Sequence, residues 1–100
     1  MSAKFIRRSS LASQAGEICY TTPADKTGLI IGLLAANITN QIANVDVAIN
    51  SDFVIRNAPV PPGSTLAILD GKLAVEANEV LTVTSSEDNS IQLTATILEL

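Results

Sequence analysis

The sequence predicts an all-β domain: an antiparallel β-sandwich of jelly-roll or Ig-like type, or a small barrel, with about eight strands and an extended N-terminal arm. Runs of β-forming residues recur about every 8–12 residues, with turn residues between them. Several of these runs alternate apolar and polar side chains, which is typical of a strand with one buried face. Aromatic residues make up only 3% of the chain, so the predicted core is aliphatic.

The N-terminal segment, residues 1–15, is predicted to be the arm, and residues 16–100 a single β-sandwich domain. Half of the six basic residues lie in the first eight positions, and no acidic residue precedes Glu17. From Ser9 onward, ten acidic residues face only three basic ones. A basic arm on an acidic body can reach an acidic neighbour, or it can be a solvated terminus. The candidate contact residues of this arm are Lys4, Phe5, Ile6, Arg7 and Arg8.

The longest apolar run extends from residue 28 to residue 38 and predicts a strand buried on both faces. A helix is the competing interpretation, because the length of the run is compatible with both, and the β-rich context favours the strand. Gly32 predicts a bulge or a kink. The next strand, residues 44–50, alternates strictly, with Val45, Val47 and Ile49 on its inner face.

Turn residues separate the other predicted strands. These strands span residues 17–22, 53–57, 65–69, 72–76, 80–85 and 91–98. In the last one, Ile91, Leu93, Ala95 and Ile97 are expected to face inward. The pair Asp70-Gly71 predicts a two-residue hairpin with a type I′ turn, and therefore a positive φ at Gly71.

A proline-rich segment, residues 58–64, is predicted to be an exposed, rigid loop outside the sheets. Pro59, Pro61 and Pro62 each lack an amide donor, and Pro62-Gly63 fits a type II turn. The segment is interpreted either as a plain crossover between sheets or as a preorganised contact loop.

The composition excludes several classes of function. The chain contains no His, so it lacks the commonest general base and metal ligand. The lone Cys19 is predicted to be a small buried hydrophobe in a strand. The three basic residues of the arm, without an aromatic-rich surface, argue against nucleic-acid binding. The apolar run of residues 28–38 is shorter than the about 20 residues that cross a bilayer. We therefore expect no catalytic residue, no cofactor, no metal site, and neither nucleic acid nor membrane as partner.

Five short motifs are spread over the last three quarters of the chain. They are Asn37-Ile38-Thr39, Val45-Asp46-Val47, Pro62-Gly63-Ser64, Asp70-Gly71-Lys72 and Ile97-Leu98-Glu99-Leu100. In these turn and core residues the chain resembles a class of small structural proteins of tailed-bacteriophage virions. The resemblance implies a virion component: a capsid cement or decoration protein, or a ring protein of the neck or tail.

The expected function is that of a non-enzymatic capsid decoration or cement protein, which binds the capsid exterior as an oligomer and stabilises it. The alternatives are a neck, tail or fibre-associated structural protein, and a carbohydrate- or host-surface-binding module in which Tyr20 would stack on the ligand. Expected partners are further copies of the chain, with a trimer favoured over a dimer, and the major capsid protein or another virion protein. The expected location is the virion, after synthesis in the host bacterial cytoplasm. The expected interface combines the five arm residues with Pro59, Pro61 and Pro62.

Overall fold

Two antiparallel sheets pack face to face in the computed structural model of the chain, which describes residues 3–69 and 71–100. The described residues form strands and no helix, and the sheets do not close into a barrel. The strands are β1 (Lys4–Leu11), β2 (Glu17–Thr21), β3 (Gly28–Asn37), β4 (Ala43–Ile49), β5 (Asp52–Val60), β6 (Thr65–Ala67), β7 (Leu73–Val75), β8 (Val80–Ser85) and β9 (Ile91–Glu99). The predicted all-β sandwich is therefore confirmed.

The strand order is that of a jelly roll. One sheet has the order β1-β9-β3-β6, with β7 also paired to β3, and the other has the order β2-β8-β4-β5. All of these pairings are antiparallel. Most connections cross from one sheet to the other, so each sheet contains strands that are distant in the sequence.

The interior between the sheets is aliphatic, as predicted. The residues of β9 that were expected to face inward, Ile91, Leu93, Ala95 and Ile97, are fully buried. They pack with inward residues of the other sheet, among them Val45 and Val47 of β4 and Leu81 and Val83 of β8. The alternation of apolar and polar residues therefore predicted correctly which side chains of these strands face inward.

The N-terminal segment is a strand over most of its length, not a free arm. Lys4 to Leu11 pair with β9 in unbroken register, from Lys4 opposite Glu99 to Leu11 opposite Gln92. Ile6 and Ser10 are half-buried on the inner side of β1, and the other residues of the strand are exposed. Because so little of the strand is buried, its sequence does not alternate apolar and polar residues, and no strand was predicted there. Backbone pairing with β9 holds it at the edge of the sheet.

The hairpin predicted at Asp70-Gly71 is wrong. Leu66 of β6 pairs with Ala35, and Ala74 of β7 pairs with Leu29, so both segments run along the same edge of β3 and not against each other. They form one interrupted strand, because the ten-residue β3 offers an edge long enough for both. The predicted positive φ of Gly71 is confirmed at +109°, whereas Asp70 lies outside the described residues.

The proline-rich segment lies partly inside a sheet, which corrects the prediction for residues 58–60. Pro59 pairs with Asn44 as part of β5, and Val60 is fully buried. Because β5 is an edge strand, a residue without an amide donor is tolerated there. Pro61 and Pro62 follow in an exposed turn in which Gly63 has a φ of +68°.

The apolar strand β3 is buried on one face only, so the prediction of burial on both faces is wrong. Ile30, Leu33 and Ala35 are buried, but Ile31 and Leu34 are 37% and 46% exposed. The ladder to β9 shifts register between Ile30 and Gly32, which confirms the irregularity predicted near Gly32. Within residues 3–69 and 71–100, no second sheet lies against the outer face of β3.

Candidate interaction surfaces

The described part of the chain offers several surfaces that could contact a partner. Across residues 3–69 and 71–100, His, Cys, Asp and Glu side chains do not gather in any group of three that could hold a metal ion. Within the same residues, the buried side-chain nitrogen and oxygen atoms all have hydrogen-bond partners. The described residues also contain no helix long and apolar enough to cross a membrane.

The outer face of the five-stranded sheet is largely apolar. In the row nearest the start of β1, Phe5 lies beside Leu98, Leu98 beside Leu29, and Leu29 beside Ala74. We call this surface the apolar sheet face, and its large members are Phe5, Leu11, Leu29, Ile31, Leu34 and Leu98. Between them lie small or uncharged residues, among them Ser9, Ala36, Ala67, Thr94 and Thr96. Arg7 is the charged residue of β1 on this face.

The outer face of the four-stranded sheet carries a cluster of hydrogen-bonded polar side chains. The Nδ2 atom of Asn44 donates to Oδ1 of Asn57 at 3.0 Å, and the backbone amide of Asn57 donates to the carboxylate of Asp46. Two apolar side chains, Ile18 and Phe53, are also exposed on this face. The face is therefore mixed in polarity.

The first strand gives one edge of the molecule a positive charge. Lys4, Arg7 and Arg8 are exposed, and Phe5 between them is 69% exposed. The Nζ atom of Lys4 lies 3.9 Å from a carboxylate oxygen of Glu99. We call these four residues of β1 the basic edge. The strand β1 pairs with β9 in one register throughout. The edge strands of the other sheet, β2 and β5, contain register shifts.

Two side chains, Tyr20 and Cys19, are buried in the interior next to the basic edge. The hydroxyl of Tyr20 donates to Glu99 at 2.7 Å, and burial raises the pKa of Tyr20 to about 12. Cys19 is buried, its thiol donates to the carbonyl of Arg8 at 3.7 Å, and burial raises its pKa to about 11. Cys19 is thus a small buried residue, as predicted. Tyr20 is only 4% exposed, so it cannot stack on a carbohydrate.

At the opposite side of the sandwich, an open groove of about 470 Å³ separates β5 from the β6–β7 strand. We call it the acidic groove. Its apolar lining comes from Ile49, Val54, Leu69, Leu73 and Ala74, and its carboxylates from Asp52, Glu76 and Glu79. Phe53 lies on the rim, 54% exposed, with the guanidinium of Arg56 5.0 Å from its ring centre.

The sequence could not have shown the acidic groove, because its lining comes from three separate segments of the chain. No local pattern marks those segments as neighbours; only the pairing of β6 and β7 with β3 brings them together. The basic residues at the N-terminus, in contrast, were visible as a charge asymmetry. The structure adds that they lie along a sheet edge.

The predicted interface residues lie in two separate places. Lys4, Phe5, Arg7 and Arg8 belong to the basic edge, with Ile6 half-buried among them. Pro59, Pro61 and Pro62 are exposed on the far side, at the end of β5. Because β1 and β5 form opposite edges of the sandwich, one flat contact cannot include both groups.

Comparisons with protein-family models, with curated proteins and with solved structures find no match for this chain.

Proposed function

We propose that the chain is a non-enzymatic structural protein of a bacteriophage virion, a capsid decoration or cement protein that binds the capsid exterior as a homo-oligomer and stabilises the capsid. The observation that carries the proposal is the apolar sheet face. A soluble monomer rarely exposes a contiguous apolar patch larger than a few hundred Å², and larger patches mark sites of association.

The outline of this face approaches the size of a stable protein contact. Four strand positions about 4.8 Å apart, with strands about 30 Å long, give a face of roughly 600 Å². Each partner of a specific, stable interface contributes roughly 800 Å². A sheet with small residues between its large apolar ones also presents few long side chains whose ordering would oppose binding.

The fold alone does not choose the function. Jelly rolls occur both in viral capsid proteins and in lectins. A lectin-type role would need exposed aromatic side chains for stacking, and Tyr20 is buried against Glu99. The motifs that resemble phage structural proteins therefore favour the virion role.

A binding experiment with two matched variants tests the proposal. Leu34→Asp places a charge on the apolar sheet face, and Thr82→Asp places the same charge on the outer face of the other sheet. The full chain and Thr82→Asp should co-sediment with capsids that lack the protein and raise their melting temperature, whereas Leu34→Asp should not bind. Equal binding by both variants would contradict the role assigned to the apolar sheet face.

Two other outcomes would favour the alternatives. Binding of the full chain to tails or necks, and not to capsids, would assign it to the neck, tail or fibre. Retention on immobilised glycans without binding to any virion part would favour a host-surface-binding module.

A further inference from the structure

We propose that copies of this chain associate head to tail, with the basic edge of one copy seated in the acidic groove of the next. The proposal rests on the self-association included in the proposed function and specifies its contact. It concerns a second copy of the same chain, so it can be tested without capsids.

The two surfaces are complementary in shape and polarity. Phe5 is the most exposed large apolar side chain of the described residues, and the acidic groove offers an apolar lining with room for an aromatic ring. Ile49, Val54 and Leu73 lie on both sides of that space, from strands of both sheets. Seating Phe5 there would remove apolar surface of both copies from water.

The charges around these surfaces are opposite in sign. Lys4, Arg7 and Arg8 flank Phe5, and Asp52, Glu76 and Glu79 line the groove. Two basic residues also lie near the groove. Arg56 is placed over the ring of Phe53, and Lys72 is exposed in the segment between β6 and β7. The lining itself remains acidic, so it attracts the basic edge.

A two-fold contact between identical surfaces is disfavoured by the same charges. If two copies of β1 paired antiparallel in register, Arg7 of one would lie opposite Arg8 of the other, and like charges directly opposite each other destabilise a strand pair. Two acidic grooves facing each other would bring carboxylates together. Contact between the different surfaces avoids both repulsions.

The two surfaces lie at the same level of the sheet. Phe5 and Ala74 belong to the same row across the five-stranded sheet, through Leu98 and Leu29. They therefore lie at about the same height along the strands, at opposite edges of the sheet. A head-to-tail contact between them adds little displacement along the strands, and it closes into a ring when the rotation between successive copies is a whole fraction of a turn. A trimer is the smallest such ring.

Cysteine cross-linking tests which surfaces meet. In the double variant Phe5→Cys/Ala74→Cys, the two new thiols lie at opposite edges of one chain and can bond only between copies. Mild oxidation should give covalent oligomers of this variant on a non-reducing gel, and monomers of Phe5→Cys alone and of Ala74→Cys alone. Cys19 is buried and should not react. Dimers of Phe5→Cys alone would show a two-fold contact and overturn the proposal, as would a double variant that associates before oxidation but forms no covalent oligomer.

A charge exchange gives an independent readout that does not depend on cysteine geometry. Arg7→Glu/Arg8→Glu should weaken association at least about tenfold, measured by light scattering over a concentration series, because the edge then repels the groove. Adding Asp52→Lys and Glu76→Lys to the same chain should restore it. The control Glu17→Lys/Glu87→Lys makes the same charge change as the groove pair, away from the groove, and should assemble like the full chain.

The outcomes separate this proposal from the virion role. A full chain that stays monomeric at every concentration, or a charge exchange that fails to restore assembly of a folded protein, would overturn the head-to-tail contact. Capsid binding by such a monomer would leave the virion role standing. Head-to-tail rings that bind no virion part would support the contact and contradict the virion role.

Discussion

The two outer faces of the sandwich differ more than its two inner faces do. Both inner faces are aliphatic and fully packed, and both sheets alternate in the same way toward the core. Outside, the four-stranded sheet carries Asn44, Asp46 and Asn57 in mutual hydrogen bonds, whereas the five-stranded sheet carries Leu29, Ile31 and Leu34. Folding requires only the inner faces, so the apolar side chains outside the five-stranded sheet are available for contact.

The five-stranded sheet also contributes to one buried polar contact. Tyr20 and Glu99 form a buried hydrogen bond between the two sheets, and Lys4 approaches the same carboxylate from the edge. This contact lies within an interior that is otherwise largely aliphatic. Substitutions inside and outside this sheet should therefore have unequal effects on stability.

The largest effect is expected from the inward face of β9. Leu93→Ala should lower the free energy of unfolding by about 2–5 kcal/mol, because a fully buried side chain is lost and leaves a cavity. Urea denaturation measures it, with Thr94→Ala on the outward face of the same strand as control. A Leu93→Ala variant as stable as the parent would show that the inner and outer faces of β9 are assigned the wrong way round.

A smaller effect is expected from the buried polar contact. Tyr20→Phe should cost about 1–3 kcal/mol of unfolding free energy at neutral pH, because the carboxylate of Glu99 loses a hydrogen bond while buried. Thr21→Val, at an exposed neighbouring position, is the control. No loss in Tyr20→Phe would mean that the carboxylate of Glu99 is solvated in the folded chain.

The hydroxyl of Tyr20 should also make the stability of the fold depend on pH. Because the pKa of Tyr20 is raised from 10.0 to about 12 in the folded state, its contribution to stability is complete below pH 10 and is lost as the pH rises toward 12. Denaturation midpoints measured across that window should fall less in Tyr20→Phe than in the parent. Parallel decreases in the two proteins would contradict a raised pKa at Tyr20.

The smallest effect on stability is expected at the apolar sheet face itself. Leu34→Thr should change the unfolding free energy of the monomer by less than about 0.5 kcal/mol, since the side chain is half exposed and threonine suits a strand. Thermal melting of dilute protein measures it. A loss as large as that of Leu93→Ala would mean that the face is packed within one chain, and the contrast between the two sheets would disappear.

Sequence reasoning succeeded where one strand carried its own pattern. Residues 44–50, 80–85 and 91–98 alternate, and β4, β8 and β9 lie within one residue of those limits. It failed where the structure depends on a distant partner. The charged segment that became β1 has no apolar pattern and is held by β9, and β6 and β7 share the edge of β3 although Asp70-Gly71 is a strong local signal for a hairpin.

The candidate surfaces divide in the same way, into those formed by contiguous residues and those formed by distant segments. The charges of the basic edge are contiguous in sequence, so their asymmetry could be seen without a structure. The acidic groove could not, because its walls come from β4–β5, from the β6–β7 segment and from the loop before β8. The apolar sheet face was partly visible in the run from residue 28 to residue 38, but the reading of that run as doubly buried assumed a covering layer that the single chain does not supply.

The pairing of β1 with β9 has a consequence for the kinetics of folding. The first and last strands are neighbours, with Lys4 opposite Glu99, and β9 also fills the place between β1 and β3. Contacts between residues so far apart in the chain close slowly, because a long loop must be ordered first. Until β9 arrives, β3 presents apolar residues on both faces and an unpaired edge. Refolding should therefore be slow, and losses to aggregation should increase with protein concentration during that interval.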